Sequence, residues 1–190
     1  MAKNVIVISG PAGVGKSTLA MMISKKYKTK FYTGSEFFKE IARGLGYNPV
    51  GKDWWDTKEG LRFLRERGGN PEIDREVDKI MIRKVNEGNA VVTSWTLPYL
   101  GVDGVKIFIT ASPEERARRI SRRDRIPFGK AMKIIKERDG ENEELYKKIY
   151  GFDIGKDLKA FDFVLNTDRM SAKEVMNAVV EFIETKKIRE

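Results

Sequence analysis

Two rhythms of apolar residues alternate along this chain. Val5-Ile6-Val7-Ile8 is β-branched and apolar at every position, the pattern of a strand covered on both faces in a parallel sheet. Ala90-Val91-Val92-Thr93 and Val105-Lys106-Ile107-Phe108-Ile109 read the same way, and Phe31-Tyr32 and Phe163-Val164-Leu165 predict two further strands. Between the strands, apolar positions fall at helical spacing. Leu19, Met22, Ile23 and Tyr27 mark a helix over Ser17 to Tyr27, and Phe37, Phe38, Ile41 and Leu45 mark another over Ser35 to Leu45. Helices are also predicted over Glu72 to Asn86, stopping at Gly88, over the strongly basic Glu114 to Arg125 and Phe128 to Glu137, and over Ala172 to Thr185. The Gly-rich, polar patches Gly44 to Gly60, Gly68 to Pro71 and Gly101 to Gly104 read as loops within a domain. Strands alternating with helices predict an α/β, doubly wound fold with a mainly parallel sheet of about five strands.

A chain of 190 residues, 41% hydrophobic, can bury a core as one domain, residues 1–190. It contains no Cys and no His, which excludes disulfides, thiol nucleophiles, Cys/His zinc sites and imidazole acid–base chemistry. Chemistry must therefore run on Lys, Arg, carboxylates, hydroxyls and backbone amides. The formal net charge of +9 points to an anionic partner. No apolar stretch is long enough to span a membrane and Met1 to Ser9 lacks a signal-peptide layout, so no membrane partner is expected and the expected location is cytoplasmic.

Gly10-Pro11-Ala12-Gly13-Val14-Gly15-Lys16-Ser17 satisfies G-x-x-x-x-G-K-[ST] and lies between a predicted buried strand and a predicted helix, the context the motif requires. The glycines let backbone N–H groups converge on phosphate oxygens, and the helix that starts at Lys16 adds the positive end of its dipole. Lys16 can reach the β- and γ-phosphates, Ser17 can place a hydroxyl on Mg²⁺, and Thr18 continues the binding run. A P-loop NTPase fold that binds a nucleoside triphosphate with Mg²⁺ follows, ATP being the one expected of a kinase.

The acceptor is then the question. The chain has no Asn-Lys-x-Asp signature of a GTPase, and Ala90 to Thr93 runs into Ser94-Trp95 without the acid of a motor ATPase. A small kinase remains. Glu114 to Arg138 holds ten cations and four acids, which places +6 of the +9 in one stretch and predicts a mobile basic helical lid over about residues 114–150. Phosphoryl transfer needs positive charge around the migrating group.

At these residues the chain resembles the nucleoside monophosphate kinases and, within them, the archaeal type of cytidylate kinase. Thr33-Gly34-Ser35-Glu36-Phe37-Phe38-Lys39-Glu40 looks like the helix opening the monophosphate site, and Pro71-Glu72-Ile73-Asp74-Arg75-Glu76-Val77-Asp78 like the family's P-E-I-D-R-x-x-D segment. Ala111 to Ile120 resembles the strand-to-lid entry. Tyr150-Gly151-Phe152-Asp153-Ile154 and Asp162-Phe163-Val164-Leu165-Asn166-Thr167 match the Y-G-x-D-I and D-x-V-I-N-T endings. The chain departs from the pattern at Thr93-Ser94-Trp95-Thr96, where an Arg-bearing motif is usual, at Lys39 in place of Arg, and at Leu145 in a lid position that is often Arg.

The resemblance implies ATP-dependent phosphorylation of a nucleoside monophosphate, CMP or dCMP, with a monophosphate segment over about residues 33–86. With it go Lys16, Arg116, Arg119 and Arg138 as expected contacts of the transferring phosphoryl and Ser35, Lys39, Asp74 and Arg75 as expected acceptor contacts; Trp95, which follows directly on a predicted strand end at the crevice of an open α/β sheet, is a candidate to stack on the base. Small nucleotides are the expected partners, without nucleic acid, and the expected state is a monomer or weak dimer. Two other readings stay open. A kinase acting on an alcohol would need a carboxylate base such as Glu36 or Asp74. A nucleic-acid-associated ATPase is suggested by the basic isoelectric point, although no aromatic-interleaved basic stretch supports it.

Overall fold

The all-apolar run at the start of the chain becomes the central strand β1 (Val5–Ser9), with every residue buried. Because successive side chains of a strand point to opposite faces, this one strand anchors two cores. Ile6 and Ile8 pack on one side with Leu19, Ala20, Ile23, Val175, Val179 and Ile183, while Val5 and Val7 pack on the other with Val77, Met81 and Val85. Val7 and Ile8 are completely buried, and each such side chain contributes about 1.5–3 kcal/mol over its exposed state.

The computed structural model describes residues 4–51 and 54–189; Met1 to Lys3, at the head of the first predicted strand segment, lie outside them. In chain order the elements are β1, α1 (Lys16–Tyr27), β2 (Lys30–Thr33), α2 (Gly34–Gly44), a 3-10 turn (Trp54–Asp56), α3 (Lys58–Gly68), α4 (Pro71–Glu87), β3 (Ala90–Thr93), β4 (Val105–Thr110), α5 (Pro113–Asp124), α6 (Phe128–Tyr150), β5 (Phe163–Asn166) and α7 (Ala172–Arg189). The five strands pair in the order β2-β3-β1-β4-β5, all parallel, with Val7 opposite Val92 on one side and Lys106 on the other. Helices α1 and α7 cover one face, α2 and α4 the other. The doubly wound α/β fold and the five-stranded sheet expected from the sequence are both present. No helix among the described residues is long and apolar enough to cross a membrane.

Two helical segments exceed what periodicity predicts. The patch Gly44 to Gly60 is not all loop, because α3 begins at Lys58, and the basic helix expected to stop at Glu137 runs on to Tyr150. In α3 the side chain of Thr57 caps the helix by accepting from Gly60 N–H, and Gly60 is required where it stands: a Cβ there would lie 2.1 Å from the Trp54 carbonyl oxygen. A glycine that reads as a loop marker is instead the point where α3 presses on the preceding turn. Tyr47, Trp54, Phe63 and Ile73 form a separate small core beneath that contact, and Ala117, Ile120, Ala131 and Ile135 join α5 to α6 in a hairpin.

Candidate active site

Strand order reverses at β1, between β3 and β4, and the loop after β1 opens into the crevice beyond the strand ends, where open α/β sheets bind ligands. The loop begins at Gly10 with φ +147°, where a Cβ would meet the Ile109 carbonyl oxygen at 2.1 Å, so only glycine lets the loop turn tightly against β4. It ends at Gly15, φ 103°, and α1 starts with no side-chain cap and no acid in its first turn. Its leading N–H groups are thus left to an anion.

A cavity of about 510 Å³ extends from this loop. Its wall takes in Ala12 to Thr18 from the loop and α1, Ser35 and Phe38 from α2, Trp55 from the 3-10 turn, and Asp74, Asp78 and Trp95 near β3. Arg67, Arg119, Arg123 and Arg138 bring positive charge to it. Lys16 Nζ folds back onto the Gly10 and Pro11 carbonyls at 2.6 and 2.8 Å and lies 5.2 Å from the centroid of the Trp95 ring. Burial pushes its pKa down to about 7; Arg138 and Arg116 push the same way and Asp139 opposes them.

The hairpin arginines divide by environment. Arg138 Nη1 donates to Asp56 Oδ1 at 2.5 Å, and Arg123 donates to the other oxygen of the same carboxylate. Arg119 ties the phosphate loop to the far edge of the sheet, donating to the Val14 carbonyl at 2.9 Å and to Thr167 Oγ1 at 3.0 Å. Arg116, grouped by resemblance with the phosphoryl contacts, is outside the cavity wall: it is 5% exposed, donates to the Ala12 carbonyl and makes a two-point pair with Asp139 at 3.0 and 2.6 Å. Its place is beneath the loop.

The residues expected to contact an acceptor divide as well. Ser35 and Trp95 are in the wall; Ser35 Oγ accepts from Trp55 Nε1, and Trp95 stacks on Tyr146 with centroids 6.2 Å apart. Asp74 is in the wall but fully engaged by Arg67, whose Nε and Nη2 donate to its two oxygens at 3.2 and 2.5 Å. Lys39 is buried away from the cavity, with Nζ on the Gly51 carbonyl at 2.9 Å and Glu36 at 3.4 Å. Arg75 is not brought to the cavity either. It projects from the outer face of α4 and pairs with Glu72, and both side chains are more than half exposed. Leu145, one of the departures from the family pattern, is 3% exposed, so a charged group there would have no solvent.

Sequence reasoning did not single out Arg67 or Asp56, and it gave no site role to Arg123, Asp78 or Tyr146, although these lie in the basic stretch and in the segments that resemble the family. A signal existed for Arg123, which follows Arg116 and Arg119 at i+7 and i+4 on one stripe of α5, and for Tyr146, which follows Arg138 two turns along α6. Nothing local marks Arg67, because α3 itself was not foreseen.

Against this geometry, the model of the cytidylate kinase-like family matches residues 5–169. The chain belongs to the cytidylate kinase-like family. The cytidylate kinase of Staphylothermus marinus is 34% identical over 95% of this chain and 96% of its own length, and that of Methanocaldococcus jannaschii is 30% identical over 96% and 99%. Among solved structures, a shikimate kinase from Bacteroides thetaiotaomicron superposes with a TM-score of 0.57 at 18% identity, covering 95% of this chain and 98% of that one. A deoxyadenosine kinase from M. mycoides superposes with 0.52 at 16%, covering 95% and 99%. These two likenesses concern the fold alone, that of P-loop kinases. Within the family the chain is a nucleoside monophosphate kinase, a phosphotransferase that binds ATP.

Proposed function

We propose that this kinase transfers the γ-phosphoryl of ATP to CMP or dCMP, giving CDP or dCDP. The observation that supports this reading is the pairing, in one cavity, of a phosphate loop ringed by Lys16, Arg119, Arg123 and Arg138 with a second end lined by Phe38, Trp55, Trp95 and Tyr146. The first end suits a triphosphate and the second a flat base. In the transfer, an oxygen of the acceptor phosphate forms the new bond to the γ-phosphorus as the bond to the β,γ-bridging oxygen breaks. That acceptor oxygen is already ionised near neutral pH, so no general base is needed and the absence of His has no cost.

Lys16 exchanges the Gly10 and Pro11 carbonyls for β- and γ-phosphate oxygens, and the α1 N–H groups hold the remainder of the chain of phosphates. Arg138 and Arg123 leave Asp56 for the transferring group as the α5–α6 hairpin acts as a lid. Arg119 fixes the loop from the other side, and Arg116 keeps Ala12 and Asp139 in register beneath it. For Mg²⁺, the donor set fits an ion brought in on the phosphates: Ser17 supplies one hydroxyl in the cavity wall, and no cluster of three or more Asp or Glu that could hold a metal by itself occurs among the described residues. When bound, the ion would neutralise charge on the triphosphate.

A hydroxyl acceptor is less well served. Glu36 is an exposed partner of Lys39 outside the cavity wall, and Asp74 is held by Arg67. The deciding experiment incubates the protein with ATP and Mg²⁺ against CMP, dCMP, UMP, AMP, cytidine and no acceptor, following ADP release. Turnover with CMP and dCMP is expected. Turnover with cytidine but not CMP would sink the reading.

A further inference from the structure

The cations of the α5–α6 hairpin fall into two sets, and the transfer reaction uses one of them. Arg116, Arg119 and Arg123 recur at i, i+3 and i+7 on α5, and each has a carboxylate partner in Asp139, Glu115 and Asp56 respectively. Arg118, Arg122 and Arg125 recur at i, i+4 and i+7 on another face of the same helix, and Lys130, Lys133 and Lys136 recur at i, i+3 and i+6 on α6. All of this second set are exposed and none lies in the cavity wall.

Nearby acids do not neutralise this outer set. Arg118 meets Glu115 at 3.3 Å, but the side chains of Arg122, Arg125, Lys130, Lys133 and Lys136 have no hydrogen-bond, ion-pair or ring partner among the described residues. The acids of the hairpin are engaged with other cations: Glu115 is shared with Arg119, Asp124 holds Arg123 and Glu137 holds Arg65. The positive excess of this stretch therefore stands on the outer surface of the hairpin, where phosphoryl transfer does not account for it.

At the bend joining the two rows, Phe128 is 44% exposed. Arg125 and Lys130 flank it, also exposed, and Gly129 has no side chain to cover the ring. Ile126 and Met132 instead pack against the core of the hairpin. Helix α6 begins here with no side-chain cap and no acid in its first turn, so its leading N–H groups add to the positive potential. Along the chain the basic stretch lacks interleaved aromatics, but the bend sets this one ring between the rows of cations.

We propose that the outer surface of this hairpin binds single-stranded nucleic acid, with phosphates on the arginine and lysine rows and a base stacked on Phe128. Sequence-tolerant binding of single strands combines cations that follow the backbone with an aromatic face that takes any base. Guanidinium groups, which make up the α5 row, match phosphate geometry with two parallel donors. A lipid surface is the poorer fit, because one exposed ring is too little apolar area to anchor a helix pair. The surface is separate from the cavity, so the proposal does not depend on which monophosphate is the acceptor. Hydrolysis of nucleic acid is the class of reaction that releases nucleoside monophosphates from a polymer, and an enzyme held on the strand meets its acceptor where it is released.

The test follows the fluorescence anisotropy of a labelled oligouridylate of about 20 nucleotides, with saturating ADP to fill the phosphate loop. Binding is expected at about 50 mM salt, with log K falling against log salt at a slope of about −3, as for about four or five phosphate contacts. Combining Arg122→Ala, Arg125→Ala and Lys130→Ala should weaken binding at least about 10-fold and flatten the slope by about 2. Phe128→Ala should weaken it about 5–100-fold and leave the slope unchanged. Both variants should keep kinase turnover, because none of these residues lies in the cavity wall, and this separates loss of the surface from loss of the fold. No binding in low salt, binding that both variants leave unchanged, binding that ADP abolishes, or capture of phosphatidylglycerol vesicles in place of the oligonucleotide would each overturn the proposal while leaving the kinase assignment standing.

Discussion

Arg138 of α6, in the cavity wall, is joined by a 2.5 Å hydrogen bond to Asp56 of the 3-10 turn before α3, and Arg123 of α5, also in the wall, holds the other oxygen of the same carboxylate. The Asp56 side chain is only 4% exposed, so it occupies the two arginines in the way a phosphate oxygen would. A triphosphate entering the site competes with it. Replacing the charge should therefore tighten triphosphate binding: Asp56→Asn is expected to lower the Kd for ATP about 3–10-fold, the effect of removing one nearby unit charge at the effective dielectric of a partly buried site. Isothermal calorimetry reads this directly, and weaker binding by the variant would count against Asp56 as a competitor.

Lys16 is sensitive to pH in a way that its role makes measurable. Burial depresses its pKa from 10.5 to about 7 in the ligand-free protein, so between those values the folded chain holds fewer protons than the unfolded chain. Stability from this group is complete only above 10.5, where both states are neutral, and is lost as pH falls toward 7. Phosphate oxygens reverse the balance by favouring the charged ammonium. Binding of ATP at pH 8 should therefore take up a fraction of a proton, seen as an enthalpy that varies with the ionisation heat of the buffer. Lys16→Ala should lose both the proton uptake and turnover with every acceptor while remaining folded; unchanged turnover would mean that the loop does not hold the triphosphate.

The sheet was legible because β1 and β3 are buried along their whole length and β4 from Ile107 to Ile109, so each carries an apolar run, a signal independent of what surrounds it. The phosphate loop was legible because each residue has a fixed local job. The acceptor end was not, and the reason is physical. Arg67, Asp56 and Asp78 acquire their setting from partners far along the chain, such as Tyr146, Arg138 and Tyr150, and no local periodicity records a contact between α3 and α6. Helix α3 was itself obscured by Gly60, which a loop tolerates and this helix needs.

Arg75 shows the opposite case, a motif residue that the ligand-free structure leaves paired in solvent. It follows Asp74 directly, yet adjacent residues on a helix point about 100° apart, so Asp74 faces the cavity while Arg75 pairs with Glu72 in solvent. An exposed pair of this kind contributes roughly 0–1 kcal/mol. Arg75→Ala should leave kcat and KM for ATP and CMP within about two-fold of wild type and shift stability by less than about 1 kcal/mol. A ten-fold or greater loss of kcat/KM would show that α4 turns in the bound state.

The Arg67–Asp74 pair belongs to the other extreme. Both side chains are at most 3% exposed, so removing one partner strands a charge in a medium that cannot hydrate it. Arg67→Met is expected to destabilise the protein by about 3–5 kcal/mol, and Asp74→Leu by a similar amount. Combining them removes both charges and leaves apolar volume among Phe38, Trp55 and Leu64, so the double variant should recover most of the loss instead of doubling it. Urea denaturation of the four proteins closes the cycle. Additive losses would mean that water reaches the pair and screens it. Recovery of stability without recovery of CMP turnover would show that this buried ion pair is retained for the substrate and not for the fold.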